Sequence, residues 1–161
     1  MRILALVGLA VAATWHHSAA PACSARELRP VGGMLQGATG SMLGFVRFRN
    51  VSSTACRAGG RPALRIFDLN GRRLPTRERS LSARQVGLTE VRTVAPGTRV
   101  ALYLFWSEWC GRWPGTQERR LILHATLTTG GRLTARFRSG RPRCDVRTGS
   151  TLAVTPFGIE R

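Results

Sequence analysis

The sequence predicts an all-β fold, an immunoglobulin-like β-sandwich of about seven to eight short antiparallel strands stapled by two disulfides. Three observations lead there. Apolar residues recur at two-residue spacing in short runs separated by turn residues. No segment repeats at the helical period. Four cysteines, Cys23, Cys56, Cys110 and Cys144, follow a segment that reads as a secretory leader, and an even number in an oxidising compartment reads as paired.

The leader reading covers residues 1–22. Arg2 supplies a positive start, and Ile3 to Thr14 is an apolar run of about a dozen residues, short of the roughly 20 a spanning helix needs. Ala20-Pro21-Ala22 offers a small-x-small cleavage site. Residues 23–161 are then expected to form one domain, long enough to bury a core of its own. Lipid anchoring at Cys23 is the rival to a disulfide there. Ala20 stands where a lipoprotein signal carries leucine, and lipidation would leave an odd number of thiols. No later stretch is long and apolar enough to span a bilayer as a helix.

Strands follow in order. Ser41 to Asn50 alternates, with Met42, Val46 and Phe48 inward, and ends at Asn50-Val51-Ser52-Ser53. Ala63 to Asp68 follows Pro62 and turns at Asn70-Gly71, where both residues tolerate positive φ. Arg72 to Leu74 returns. Pro75 to Arg84 reads as an exposed loop, and Val86 to Val94 alternates weakly before the Pro96-Gly97 turn. Arg99 to Ser107 is apolar on both faces, as a central covered strand is. Arg119 to Leu127 and Arg132 to Arg138 form a hairpin across Gly130-Gly131, and Ser150 to Phe157 is the last strand.

Charge is the other strong signal. The chain carries 25 basic residues, every one Arg, against eight acids, a formal net charge of +17. Loss of Arg2 with the leader lowers this to about +16. Such a surface attracts polyanions, more strongly at low salt, and each guanidinium offers a planar fork for phosphate or carboxylate.

Catalytic constellations are not apparent. Beyond the leader His124 is the only histidine, set opposite the leucines of its strand. Gly40-Ser41-Met42-Leu43-Gly44 is not a nucleophile elbow, because its serine directly follows the glycine. The acids are scattered, and there is no CxxC, HxxxH or acidic calcium loop. No catalytic residue, metal or cofactor is therefore expected.

Two groups remain as binding candidates. Arg47 and Arg49 share one face of a strand, and Arg132, Arg136 and Arg138 share another, with Arg65 and Arg120 able to extend them. In one sheet they would make a flat basic surface that binds phosphate polymers without sequence readout. Trp109 and Trp113 fall after the central strand and are expected as an exposed second patch, whereas Trp106 belongs to the inward series. Sequence-specific nucleic acid is disfavoured, since aromatics do not interleave with the arginines as stacking platforms do.

The order of the segments resembles the secreted actinobacterial-type domain-of-unknown-function family 4232. The matching pieces are Gly37-Ala38-Thr39-Gly40-Ser41, Asn50, Cys56, Gly60-Arg61-Pro62-Ala63, Asp68, Gly71 and Val94-Ala95-Pro96-Gly97. Trp106, Cys110, Cys144 and Leu152-Ala153-Val154-Thr155-Pro156 close the series. The family commonly carries an aromatic or apolar residue where Arg61 stands here. The resemblance implies an exported β-sandwich with no known activity, and it favours the pairs Cys23–Cys56 and Cys110–Cys144; the spacing alone leaves all connectivities open.

The expected function is therefore a non-enzymatic binding module, secreted or held at the cell surface. Its expected partners are anionic envelope polymers, lipid headgroups or another exported protein. A structural display module, with no ligand of its own, is the alternative.

Overall fold

The computed structural model describes residues 19–113, 119–145 and 149–160. The leader expectation falls mainly on residues 1–18, and Glu118 is also among the residues that lie outside the described ones. The described residues contain no α-helix. They form β1 (Leu28–Ala38), β2 (Ser41–Asn50), β3 (Cys56–Arg57), β4 (Ala63–Phe67) and β5 (Arg73–Leu74). Then come β6 (Arg77–Ser80), a 3-10 turn (Arg84–Val86), β7 (Leu88–Glu90), β8 (Thr93–Val94) and β9 (Arg99–Ser107). The chain ends with β10 (Arg119–Thr126), β11 (Arg132–Ser139), β12 (Thr151–Val154) and β13 (Gly158–Glu160).

The expected all-β, disulfide-stapled domain is present, but its layering differs. Eleven strands join into one curled mixed sheet, a half-barrel, in the order β5-β4-β10-β11-β1-β2-β9-β12-β6, with β13 and β7 branching from β9. An immunoglobulin-like sandwich would place hairpins in two opposed sheets. Here the hairpins β1–β2 and β10–β11 are joined edge to edge through a parallel pair, Met34 beside Arg138 and Leu35 beside Ser139. A second parallel pair, β12–β6, means that the strands are not all antiparallel.

The longest strand, β1, was not anticipated. Its sequence, LRPVGGMLQGA, has a proline and three glycines and buries only Leu28 and Leu35. Pairing with β2 imposes the extended backbone, and a register shift between Pro30 and Gly32 accommodates the proline. Thr39 and Gly40 then turn the chain with φ of 45° and 85°. The supposed loop Pro75–Arg84 contains β6, all four residues exposed, held by backbone pairing to β12. The last expected strand, Ser150 to Phe157, stops at Val154 as β12, and a further short strand, β13, follows after Thr155-Pro156-Phe157.

The core fills the concave side of the half-barrel. Trp106, Phe48, Phe137, Phe157, Leu102 and Leu104 are among its fully buried side chains. The Trp106 indole N–H donates to Ser150 Oγ at 2.7 Å, so its polar atom is satisfied in the interior. Asn50 is also fully buried. Its Nδ2 donates to the Thr54 and Val94 carbonyls, and its Oδ1 accepts from the Ser52 N–H and hydroxyl, which explains why β2 ends there.

The disulfides are Cys23–Cys56 and Cys110–Cys144, separated by 33 and 34 residues. Loops of that length are worth about 3–4 kcal/mol each in the chain-entropy model. They staple opposite ends of the fold: Cys23 precedes β1, whereas Cys110 and Cys144 follow β9 and β11.

Candidate functional site

The hairpin β10–β11 and its neighbour β4 alternate cleanly. Leu121, Leu123, Ala125, Leu133, Ala135 and Phe137 face the core. Period-two geometry then sends Arg120, Arg132, Arg136, Arg138 and, on β4, Arg65 to the convex side. All five arginines are exposed, and the three strands carry no acidic residue. Strands lie roughly 4.8 Å apart, and the six residue steps from Arg132 to Arg138 span roughly 20 Å, so the arginines spread over a flat patch. Arg120 stands opposite Arg138, and Arg136 is two residues from Arg138, spacings inside the screening length of about 8 Å at physiological salt; Arg132 and Arg65 stand further off.

Register shows how the patch is built. Arg138 stands opposite Arg120 on one side and Met34 on the other; Met34 is opposite Phe45, and Phe45 opposite Tyr103. One transverse row thus passes from two cations to three apolar or aromatic side chains. Met34 is 44% exposed, while Phe45 and Tyr103 pack edge to face at 5.1 Å and are partly covered by Ala83, Val86 and Leu88. Burial raises the Tyr103 phenol above its ordinary value.

Arg47 and Arg49 do lie on the convex side of the same sheet, but in different states. Arg47 is held by Glu160 in a two-pronged pair, Nε to Oε2 at 2.8 Å and Nη2 to Oε1 at 2.6 Å, and its guanidinium sits 5.1 Å from the Phe45 ring centre. Arg49 gives one weak bond to the Gly97 carbonyl at 3.2 Å. It is flanked in register by Arg29 on β1 and Arg99 on β9. All three are exposed, and together they form a row of cations on adjacent strands. Arg29 and Arg99 were missed in the sequence, because their proximity depends on a three-strand register that includes the unforeseen β1. The strand directions place this row at the same end of the sheet as Arg132, with Arg120 and Arg138 at the other end.

The expected exposed tryptophan patch is overturned. Trp109 and Trp113 are 4% and 8% exposed and belong to the core. Their rings pack on Trp106 at 5.8 and 6.0 Å. The turn after β9 folds back over the end of the barrel, and Gly111, lacking a Cβ, lets the Trp109 indole lie against its backbone. The Trp109 Nε1 has no hydrogen-bond partner among the described residues.

His124 lies on the convex side between Arg65 and Thr134, its ring 4.6 Å from that of Phe67. Partial burial first, and the nearby Arg132 charge second, hold its pKa below the ordinary value. It makes no hydrogen bond to an acid or hydroxyl among the described residues. Among those residues no group of three or more His, Cys, Asp or Glu is gathered as a metal would need, and no helix is long and apolar enough to cross a membrane.

No curated protein and no solved structure matches the chain. The sequence model of one family, described as a domain of unknown function, DUF4232, matches residues 23–158. That match spans both disulfides and every strand from β1 to β12, and the chain therefore belongs to the DUF4232 family.

Proposed function

We propose that this domain is an exported, non-enzymatic binding module whose convex sheet face takes up anionic polymers of the cell envelope. One observation carries the reading: Arg65, Arg120, Arg132, Arg136 and Arg138 occupy three adjacent strands that contain no acid. Arg29, Arg49 and Arg99 extend the same side. A repeating phosphate or carboxylate chain laid over such a face gains from several guanidiniums at once and releases its counterions. Within β4, β10 and β11 themselves no carboxylate is interspersed to cancel the field.

Two disulfides support an oxidising location outside the cytoplasm. The exported site, the leader at residues 1–22 and the single domain over 23–161 are parts of the same proposal, as is the free rather than lipid-bearing state of Cys23. Its pairing with Cys56 favours that state. Arg47, engaged by Glu160, and the buried Trp109 and Trp113 are left out of the contact set.

The test is binding of the purified domain to immobilised polyphosphate and to isolated cell envelopes across a salt series. With about four arginines engaged, affinity is expected to fall about a hundredfold between 50 and 200 mM salt. The triple substitution Arg132→Gln, Arg136→Gln, Arg138→Gln is expected to abolish most of it. Equal binding by the triple variant, or no binding at low salt, would leave the display-module reading in front.

A further inference from the structure

A second feature adjoins the flat face and shares Arg120 with it. Where β4 ends, β5 returns and β10 begins, the mouth of the half-barrel holds a cleft of about 370 Å³. Its apolar wall is made by Leu69, Leu74, Trp113 and Leu121. Leu74, Trp113 and Leu121 are buried edges of the core, whereas Leu69 is 56% exposed at the tip of the turn after β4.

Its rim is cationic, through Arg72, Arg112, Arg119 and Arg120. Arg119 belongs to the inward series of β10, with Leu121, Leu123 and Ala125. Because it stands at the strand's first position, its charge emerges at the mouth instead of in the core. Asp68 is the one carboxylate among the described residues of the wall, and it is occupied. Its Oδ1 accepts the Asn70 and Arg72 N–H groups, and its Oδ2 lies 3.6 Å from Arg72 Nε. Arg72 also reaches across the cleft to the Arg112 carbonyl at 3.1 Å, which fixes the two walls together. Arg112, Arg119 and Arg120 have no carboxylate partner among the described residues.

A hydrophobic wall beside three guanidiniums with no carboxylate partner among the described residues selects a ligand that is apolar at one end and anionic at the other. We infer that this cleft binds a small amphipathic anion, an alkyl or aryl chain ending in a phosphate or carboxylate. The volume lies within the usual range for small-molecule sites. The chain would cover Leu69 and the Trp113 edge, and the headgroup would meet the arginines, whose forked donors match both oxyanions. Arg120 belongs to both sites, but Arg112 and Arg119 are not on the polymer-binding face, so variants at those two test the cleft separately.

Octyl phosphate, octanoate, octanol and inorganic phosphate are titrated into the purified domain at 150 mM salt, by calorimetry and by tryptophan fluorescence. Binding of octyl phosphate or octanoate at least tenfold tighter than octanol or inorganic phosphate is expected, with a change in emission because Trp113 lines the site. The stronger of the two anions identifies the headgroup. Leu69→Asp, at an exposed turn that the core does not need, and the pair Arg112→Gln with Arg119→Gln should each weaken binding at least tenfold. Both should leave polyphosphate binding within about twofold. Arg132→Gln with Arg136→Gln should do the reverse. Octyl phosphate and octanoate both failing to bind, inorganic phosphate binding as tightly as octyl phosphate, or binding unaffected in the cleft variants while lost in the Arg132/Arg136 variant, would each overturn the inference.

Discussion

Arg47 and Glu160 meet across 113 residues of chain in a two-pronged ion pair, with the guanidinium resting over Phe45. The contact ties the last described strand, β13, to the convex side of β2. It also decides which arginines are available to a ligand. Both side chains are about two-fifths exposed, 41% and 39%, so water screens much of the attraction and the pair is worth at most about 1 kcal/mol. Its larger effect is on binding, because a guanidinium already gripping a carboxylate has little to give a polyanion.

That division is measurable. The double substitution Arg47→Gln with Glu160→Gln leaves net charge unchanged and is expected to keep polyphosphate affinity within about twofold. Glu160→Gln alone frees Arg47 and removes a repelling charge, so affinity should rise several-fold at 50 mM salt and much less at 500 mM. Loss of affinity in the double variant would place Arg47 in the contact set after all.

Arg29 and Arg99 flank Arg49 in register, and this is a claim the sequence could not make. Arg29→Gln and Arg99→Gln should each lower the slope of log affinity against log salt by about 1, as loss of a phosphate contact does. Arg92→Gln serves as the control, because its nearest carboxylate is Glu90 at 3.7 Å and it lies off this row. Equal slopes for all three variants would mean that net charge alone governs binding.

What was legible divides along physical lines. β2, β4, β9, β10 and β11 each alternate or run apolar because they pack against the core, so side-chain burial wrote them into the sequence. β1 and β6 are held mainly by backbone hydrogen bonds to neighbours, which leave little trace in side chains: β1 buries two residues and β6 none. The joining of two hairpins into one half-barrel rests on the β1–β11 pair, so missing β1 meant missing the layering. The arginine stripes of β11 were legible from alternation, whereas the Arg29–Arg49–Arg99 row needed tertiary register. Trp109 and Trp113 were misplaced because a loop position in sequence does not reveal that the loop folds back over the core.

Gly44 makes the β1–β2 pairing possible. Its φ is 156°, and a Cβ there would collide with the Met34 carbonyl and approach the Leu35 Cα at 3.2 Å. Both obstacles are backbone, so they cannot swing away. Gly44→Ala is expected to cost at least about 2 kcal/mol, read as a lower urea midpoint with an unchanged m-value. Gly60→Ala, where nothing lies within 4 Å, should be close to neutral.

The Cys110–Cys144 bridge closes the end of the fold that carries the tryptophan cluster. Replacing both cysteines by Ala should cost about 2–5 kcal/mol and should loosen Trp109 and Trp113, seen as a red-shifted emission before global unfolding. Replacing Cys23 and Cys56 should cost a similar amount but leave the emission unchanged until the main transition. If both variants shifted emission alike, the tryptophan cluster would not depend on its own staple.

Glu27 gives the fold an acid-sensitive latch at the entry to β1. The Ser24 N–H donates to Glu27 Oε2 at 2.6 Å, and the Glu27 and Leu28 N–H groups return to the Ser24 carbonyl, closing the turn before the strand. Hydrogen bonding from Ser24 holds the Glu27 carboxyl below its ordinary value, against an opposing effect of burial. A carboxylate whose folded pKa is lowered contributes stability above its unfolded value of about 4.5, and that contribution is lost as pH falls through the lower folded value. Glu27→Gln should therefore be less stable than the parent at pH 6–8 by a constant margin. The gap should close on acidification below about pH 4.5, as the parent alone protonates this group. Urea melts at pH 7, 5, 4 and 3 measure it, and a gap that stayed constant to pH 3 would show that the carboxylate's charge contributes nothing to the turn.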